Sequence, residues 1–104
     1  MSEENFEKLE RLAKIAGVTV KHSKAYQLEG KPCLLCGAGF QLIYNPYKNK
    51  EQAFDILFKA GMELSVEEDT IVYKNGVIRG DVSIELFDKP WHALCYAICE
   101  GALK

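Results

Sequence analysis

The sequence contains no run of lysine and arginine. Its 13 basic residues are outweighed by 15 acidic ones, for a formal net charge of −2. Tight duplex DNA binding draws on clustered cations that displace counterions from phosphates, so that class of partner is not expected. The chain also lacks any stretch near the roughly 20 apolar residues that a membrane span requires. Its first residues, Met1-Ser2-Glu3-Glu4-Asn5, have neither the basic start nor the apolar core of a secretory signal. The expectation is a cytoplasmic protein without membrane contact, whose cysteines meet a reducing environment and remain thiols. No low-complexity segment, internal repeat or linker interrupts the chain. G-x-S-x-G, H-E-x-x-H, P-loop and G-x-G-x-x-G patterns are all missing. With only two histidines, His22 and His92, and no partner at a known catalytic spacing, an enzyme is not expected and no cofactor is called for.

What remains is a composition able to fold alone. The 104 residues suit one domain spanning 1–104, and a 48% hydrophobic fraction with five Tyr, five Phe and one Trp can fill one core. Phe6, Leu9, Leu12, Ala13 and Ala16 recur at helical spacing, which predicts a helix from Glu3 to Ala16 capped by Ser2 and stopped by Gly17. Val18–Val20 suggests the start of a strand, Gly30-Lys31-Pro32 a turn, and Cys33–Cys36 and Phe40–Tyr44 short strands ended by Asn45-Pro46. Asn49 and Gln52 stand at the spacing of a capping box before a second helix, with Ala53, Phe54, Leu57 and Phe58 at helical intervals and Gly61 at its end. Met62–Val66 reads as a short strand. Thr70–Lys74 and Val77–Leu86 flank Asn75-Gly76, the dipeptide of a type I′ hairpin turn. In the second arm Ile78, Val82, Ile84 and Leu86 alternate with polar residues, and Gly80 marks a bulge or a close approach. Asp88 and Pro90 open a last helix with Trp91, Leu94, Cys95, Ile98 and Ala102 facing inward. The predicted class is α+β: an antiparallel-rich sheet packed with two or three helices, sandwich-like.

Cysteine is the sharpest chemical signal. Cys33 and Cys36 form a C-x-x-C, and Cys95 and Cys99 sit one helical turn apart, so four thiolates are candidates for a tetrahedral zinc site and a zinc-stabilised interaction module. The opposing reading is structural. Leu34 and Leu35 between the first pair indicate a buried strand, on which positions three apart fall on opposite faces, and Cys95 lies on an apolar helix face where cysteine acts as a small hydrophobe. The carboxylates Glu63, Glu67, Glu68, Asp69, Asp81 and Glu85 read as a solvated rim, since no pair is singled out by spacing. The segment Tyr44 to Lys50 sets two tyrosines beside Lys48 and Lys50 at a helix start, where free amides and a partial positive charge suit an anion. The candidate binding residues are therefore Tyr44, Tyr47, Lys48, Lys50, Trp91 and His92, serving a protein partner through aromatic anchors or a nucleotide through stacking and phosphate contact. Should the chain self-associate, a twofold homodimer is the default.

The lead-in Asn45-Pro46-Tyr47 before an amphipathic helix, the hairpin Thr70–Leu86, and the closing Pro90-Trp91-His92-Ala93-Leu94-Cys95-Tyr96-Ala97-Ile98-Cys99 together resemble the phage ABA sandwich domain family over about residues 40–104. Leu94-Cys95 stands where that family carries an Ile-Cys or Leu-Cys packing pair. The N-terminal helix looks additional to the family pattern, and the polar face of Val77–Leu86 fits a sheet covered on one side. The resemblance implies no catalytic residue. It implies an accessory protein of phage or mobile-element origin, acting in the host cytoplasm by binding a host or phage protein, as an inhibitor of a defence system, or by sequestering a nucleotide.

Overall fold

The computed structural model describes residues 3–28, 31–40 and 42–104, with side chains described for 6–22, 34–40 and 42–104. Among these residues the order of elements is α1 (Glu3–Ala16), β1 (Lys21–Leu28), β2 (Lys31–Cys36), a 3₁₀ turn (Ala38–Phe40), β3 (Leu42–Ile43), α2 (Lys50–Ala60), β4 (Glu63–Glu67), β5 (Thr70–Asn75), β6 (Ile78–Ser83), a second 3₁₀ turn (Ile84–Leu86) and α3 (Pro90–Leu103). The strands form two antiparallel three-stranded sheets, β1-β2-β3 and β4-β5-β6. The architecture is α+β.

Helix α3 is the centre of the molecule. Ala93, Cys95, Ala97, Ile98, Cys99, Gly101 and Ala102 are all buried, so the helix is wrapped on most of its circumference rather than along one stripe. That is the position of a helix that is apolar nearly all round. It packs against β5 and β6 on one side and against α1 and α2 on the other. Helix α1 serves two cores: Leu12 and Ala16 join the main one, while Leu9 and Ala13 pack with Leu34, Cys36 and Tyr44 beneath the first sheet. The sequence stripe thus splits into two adjacent stripes, each meeting a different layer.

Tyr73 ties the second sheet to α3. Its pairing places it opposite Leu64 on β4 and Gly80 on β6. A Cβ at Gly80 would fall within 2.9 Å of Tyr73 Cε1 and closer still to its phenol, and a Cβ at Gly101 would lie 2.7 Å from Tyr73 Cδ1. The ring therefore lies across one glycine of the strand and against another of the helix. Gly80 marks the close approach and not a bulge, for the β5–β6 register runs unbroken from Thr70↔Ser83 to Asn75↔Ile78. At the rim of the ring, Lys104 Nζ donates to the Tyr73 hydroxyl at 2.8 Å, and Asn75 Nδ2 donates to the Gly101 carbonyl at 3.2 Å.

Several local expectations are corrected. Strand β1 begins at Lys21, after Val18–Val20, and Lys31 and Pro32 belong to β2 rather than to a turn; Ser2 and Gly30 lie outside the described residues. The predicted strand Phe40–Tyr44 shrinks to Leu42–Ile43, because Gly37, Gly39 and Phe40 all take positive φ and turn the chain. In the hairpin, Asn75 pairs with Ile78, so the two loop residues are Gly76 and Val77. Gly76 has φ +66° and Val77 is not left-handed, which is the II′ arrangement with glycine first and not the I′ turn that Asn75-Gly76 predicts. The second arm ends at Ser83, and the 3₁₀ turn that follows swings Leu86 out to solvent. On α2 the buried residues are Ala53 and Ile56, and Phe54 and Phe58 face outward. Asp88 does not cap α3: the N-cap is Lys89, with no side-chain hydrogen bond, and Pro90 enters as the first helical residue.

Gly80→Ala should lower the free energy of unfolding by about 1–3 kcal/mol, the usual cost of forcing a methyl into a filled site. Urea denaturation of the two proteins measures it; an unchanged midpoint would show that the Tyr73 ring can move aside.

Candidate functional site

The loop from Tyr44 to Asn49 is fastened from both sides. Asn49 Oδ1 accepts from the Gln52 amide at 3.1 Å, the first half of the predicted capping box. The second half is absent, because the Gln52 side chain turns to the loop instead. Its Oε1 accepts from Asn45 N at 2.7 Å and its Nε2 donates to the Ile43 carbonyl at 3.0 Å. Asn45 Oδ1 in turn accepts from Tyr47 N at 3.2 Å, a local side-chain turn of the kind asparagine favours. These bonds aim Tyr44 and Tyr47 in different directions.

Tyr44 points inward. At 1% exposure it belongs to the smaller core with Leu34 and Cys36, so it is removed from the candidate binding residues. Among the described residues its hydroxyl has no hydrogen-bond partner, and burial, with further contributions from Cys99 and Cys36, pushes its pKa up. Tyr47 reaches across to α3, where its hydroxyl donates to Glu100 Oε2 at 3.1 Å. Burial first, and then the Glu100 carboxylate, push the Tyr47 phenol far up, which keeps it a neutral donor.

Around Tyr47 an aromatic cluster forms. The Tyr47 and Tyr96 ring centroids are 6.0 Å apart and those of Phe87 and Tyr96 5.3 Å, both tilted, within the range in which aromatic pairs attract. These rings, with Leu86, line a groove of about 280 Å³ whose rim carries Lys48, Asp88 and His92. Leu86 is 81% exposed and Tyr96 37% exposed, large apolar surface at the lip of a concavity. Three of the residues picked from the sequence, Tyr47, Lys48 and His92, meet here. Lys50 and Trp91 stand together instead, with Lys50 Nζ 5.2 Å from the Trp91 ring centroid, and the Trp91 and His92 centroids are 3.8 Å apart. Sequence reasoning missed Leu86, Phe87 and Tyr96. Tyr96 had a readable signal, since it follows His92 by four positions and so shares its helix face. Leu86 had none, because strand alternation assigned it to the core.

The three cysteines whose side chains are described do not gather. Cys36 packs beneath the first sheet, while Cys95 and Cys99 face the main core from α3. All three are free and buried, and burial raises each thiol pKa. The Cys33 side chain lies outside the described residues. Among the described residues no group of three or more His, Cys, Asp or Glu side chains is placed to hold a metal ion. Nor is any helix among them long and apolar enough to cross a membrane. No family model, curated protein or solved structure matches the chain.

Two outcomes follow from these buried groups. Tyr44→Phe should raise the unfolding free energy by about 1 kcal/mol, since it removes a buried hydroxyl that bonds to none of the described residues; a loss of stability in urea would reveal a partner for that oxygen. The raised thiols and phenols hold protons that the unfolded chain releases once pH exceeds their ordinary values of about 8.5 and 10. The folded state then binds more protons than the unfolded one, and stability falls as pH rises. Urea midpoints should therefore be level near neutrality and decline steadily above about pH 8.5.

Proposed function

We propose that this chain is a non-enzymatic binding protein that seats an apolar side chain of a partner protein in the groove between Tyr47, Phe87 and Tyr96. The observation that carries the reading is the exposed Leu86 and Tyr96 at the lip of an aromatic-lined cleft. Protein interfaces concentrate their energy in such aromatic, partly preformed pockets. At about 280 Å³ the groove stands at the lower end of the roughly 300–1,000 Å³ of sites that enclose small molecules, with room for one or two side chains. The resemblance of residues 40–104 to phage ABA sandwich domains supports a phage or mobile-element origin, and with it a host or phage protein as the target and inhibition of a defence system as the role.

The rival, a nucleotide held by the Tyr44–Lys50 loop, has Lys48 and the stacked rings in its favour. Against it stand the burial of Tyr44 and the carboxylate of Asp88 on the same rim.

The test uses a photo-crosslinking residue in place of Lys48, expressed in host cells, followed by mass spectrometry of the adduct. A protein adduct is expected, and Tyr96→Ala and Leu86→Asp should each weaken the purified partner's affinity by about 30-fold or more, the scale of a hot-spot residue. A nucleotide-sized adduct, or a partner indifferent to both substitutions, overturns the reading.

A further inference from the structure

Strand β4 is left open. Among the described residues it pairs with β5 alone, in register from Glu63↔Lys74 to Glu67↔Thr70, so the backbone groups of its other edge have no strand beside them. An unpaired edge is a template for another strand unless something covers it. The opposite strand of the same sheet, β6, likewise pairs with β5 alone among the described residues, but it packs under α3, whereas β4 packs chiefly against β5.

The two faces of β4 differ. Val66, Ile71 and Val82 are directly paired and therefore share the face turned to α3. Ile71 and Val82 are buried, but Val66 is 64% exposed. Leu64, on the same face, still packs against the main core, so the apolar face of the sheet outruns its cover at Val66, and a further strand would shield Val66 with its own apolar residue. On the other face β4 presents Glu63, Ser65 and Glu67, followed by Glu68 and Asp69 in the turn. Glu63 is offset by Lys74 across the pair, but Glu67 faces Thr70 and then Ser83, neither of them basic. Glu67 and Glu68 also line a depression in this face together with Val72, Asp81 and one cation, Arg79.

From the open backbone edge, the uncovered valine and the acidic row, we propose that β4 is a strand-addition site for a basic extended peptide in which lysine or arginine alternates with apolar residues. Backbone hydrogen bonds hold such a strand and side chains at alternate positions select it. Its apolar residues extend the row of Leu64 and Val66, and its cations lie beside Glu63 and Glu67. A second copy of the chain fits poorly. Antiparallel self-pairing centred on Ser65 sets Glu63 opposite the Glu67 of the other copy twice, and like charges directly opposite destabilise a sheet. This surface is separate from the aromatic groove, so either can stand if the other fails.

The experiment titrates the full ¹⁵N-labelled chain with a blocked heptapeptide alternating lysine and valine, and with its glutamate–valine counterpart. The expected result is amide shift changes and slowed hydrogen exchange across Glu63–Glu67 with the lysine peptide. The glutamate peptide should bind at least about tenfold more weakly, and raising salt from about 50 to about 500 mM should narrow that gap by screening. The surface variant Glu63→Lys/Glu67→Lys, checked for a native spectrum, should reverse the preference. Tyr96→Ala should leave binding unchanged. The proposal is overturned by perturbations that fall on Leu86 and Tyr96 instead, by equal binding of the two peptides, or by no perturbation at millimolar lysine peptide.

Discussion

The ring of Tyr73 is the point at which sheet and helix become one body. It lies where the central strand of the second sheet meets α3, across Gly80 and against Gly101, and both glycines are there because no side chain fits between ring and backbone. A buried aromatic of this kind contributes on the order of 1.5–3 kcal/mol through burial alone. Its larger effect is geometric. With the ring set, β5 and β6 lie flush on α3, the Asn75 amide reaches the Gly101 carbonyl, and Lys104 closes over the phenol. Interiors packed at crystal density transmit such a constraint rather than absorbing it.

The two surfaces of interest are consequences of that docking. Because α3 is drawn onto β5 and β6, its far side meets α1 and α2 and its flank carries Tyr96 and Glu100 toward the Tyr47 loop. The 3₁₀ turn after β6 delivers Leu86 and Phe87 to the same place, and the groove is where three chain segments end their packing. The same docking leaves the Val66 end of β4 uncovered, while Leu64 on the same strand packs against the main core. One surface is aromatic and concave, the other an extended edge with acidic character, so they suit partners of different chemistry.

The loop before α2 is held by hydrogen bonds made by the side chains of Asn45, Asn49 and Gln52. Gln52 bonds to the backbone at Asn45 and Ile43 in place of a reciprocal cap, which fixes the direction of Tyr47. Nearby, the Tyr44 hydroxyl is buried without a partner among the described residues, while the thiols of Cys36 and Cys99 fill space as small apolar groups. A cysteine spacing that suggests zinc in the sequence therefore resolves, for the three described thiols, into packing positions in two separate cores.

Local pattern was enough for the elements whose signals are local. The helix Glu3–Ala16, the left-handed stop at Gly61, Pro90 at the head of α3 and the strand pairs around residue 76 were all legible, because capping, periodicity and glycine conformations depend on neighbours a few positions away. Which apolar residues face inward was less legible. Phe54, Phe58 and Leu86 carry the same hydrophobic signal as Ile56 and Val82, and only the placement of α3 and the 3₁₀ turn separates them. The candidate site divides the same way. Tyr47, Lys48 and His92 were nominated by residue type, but the meeting of Tyr47 with Phe87 and Tyr96, and the burial of Tyr44 against Leu9, Ala13, Leu34 and Cys36, arise from contacts between separate segments of the chain. Sequence by itself determined the class of fold and the chemical inventory. Tertiary structure alone decided which of those groups reach a common surface, since burial is a property of what the rest of the chain packs against.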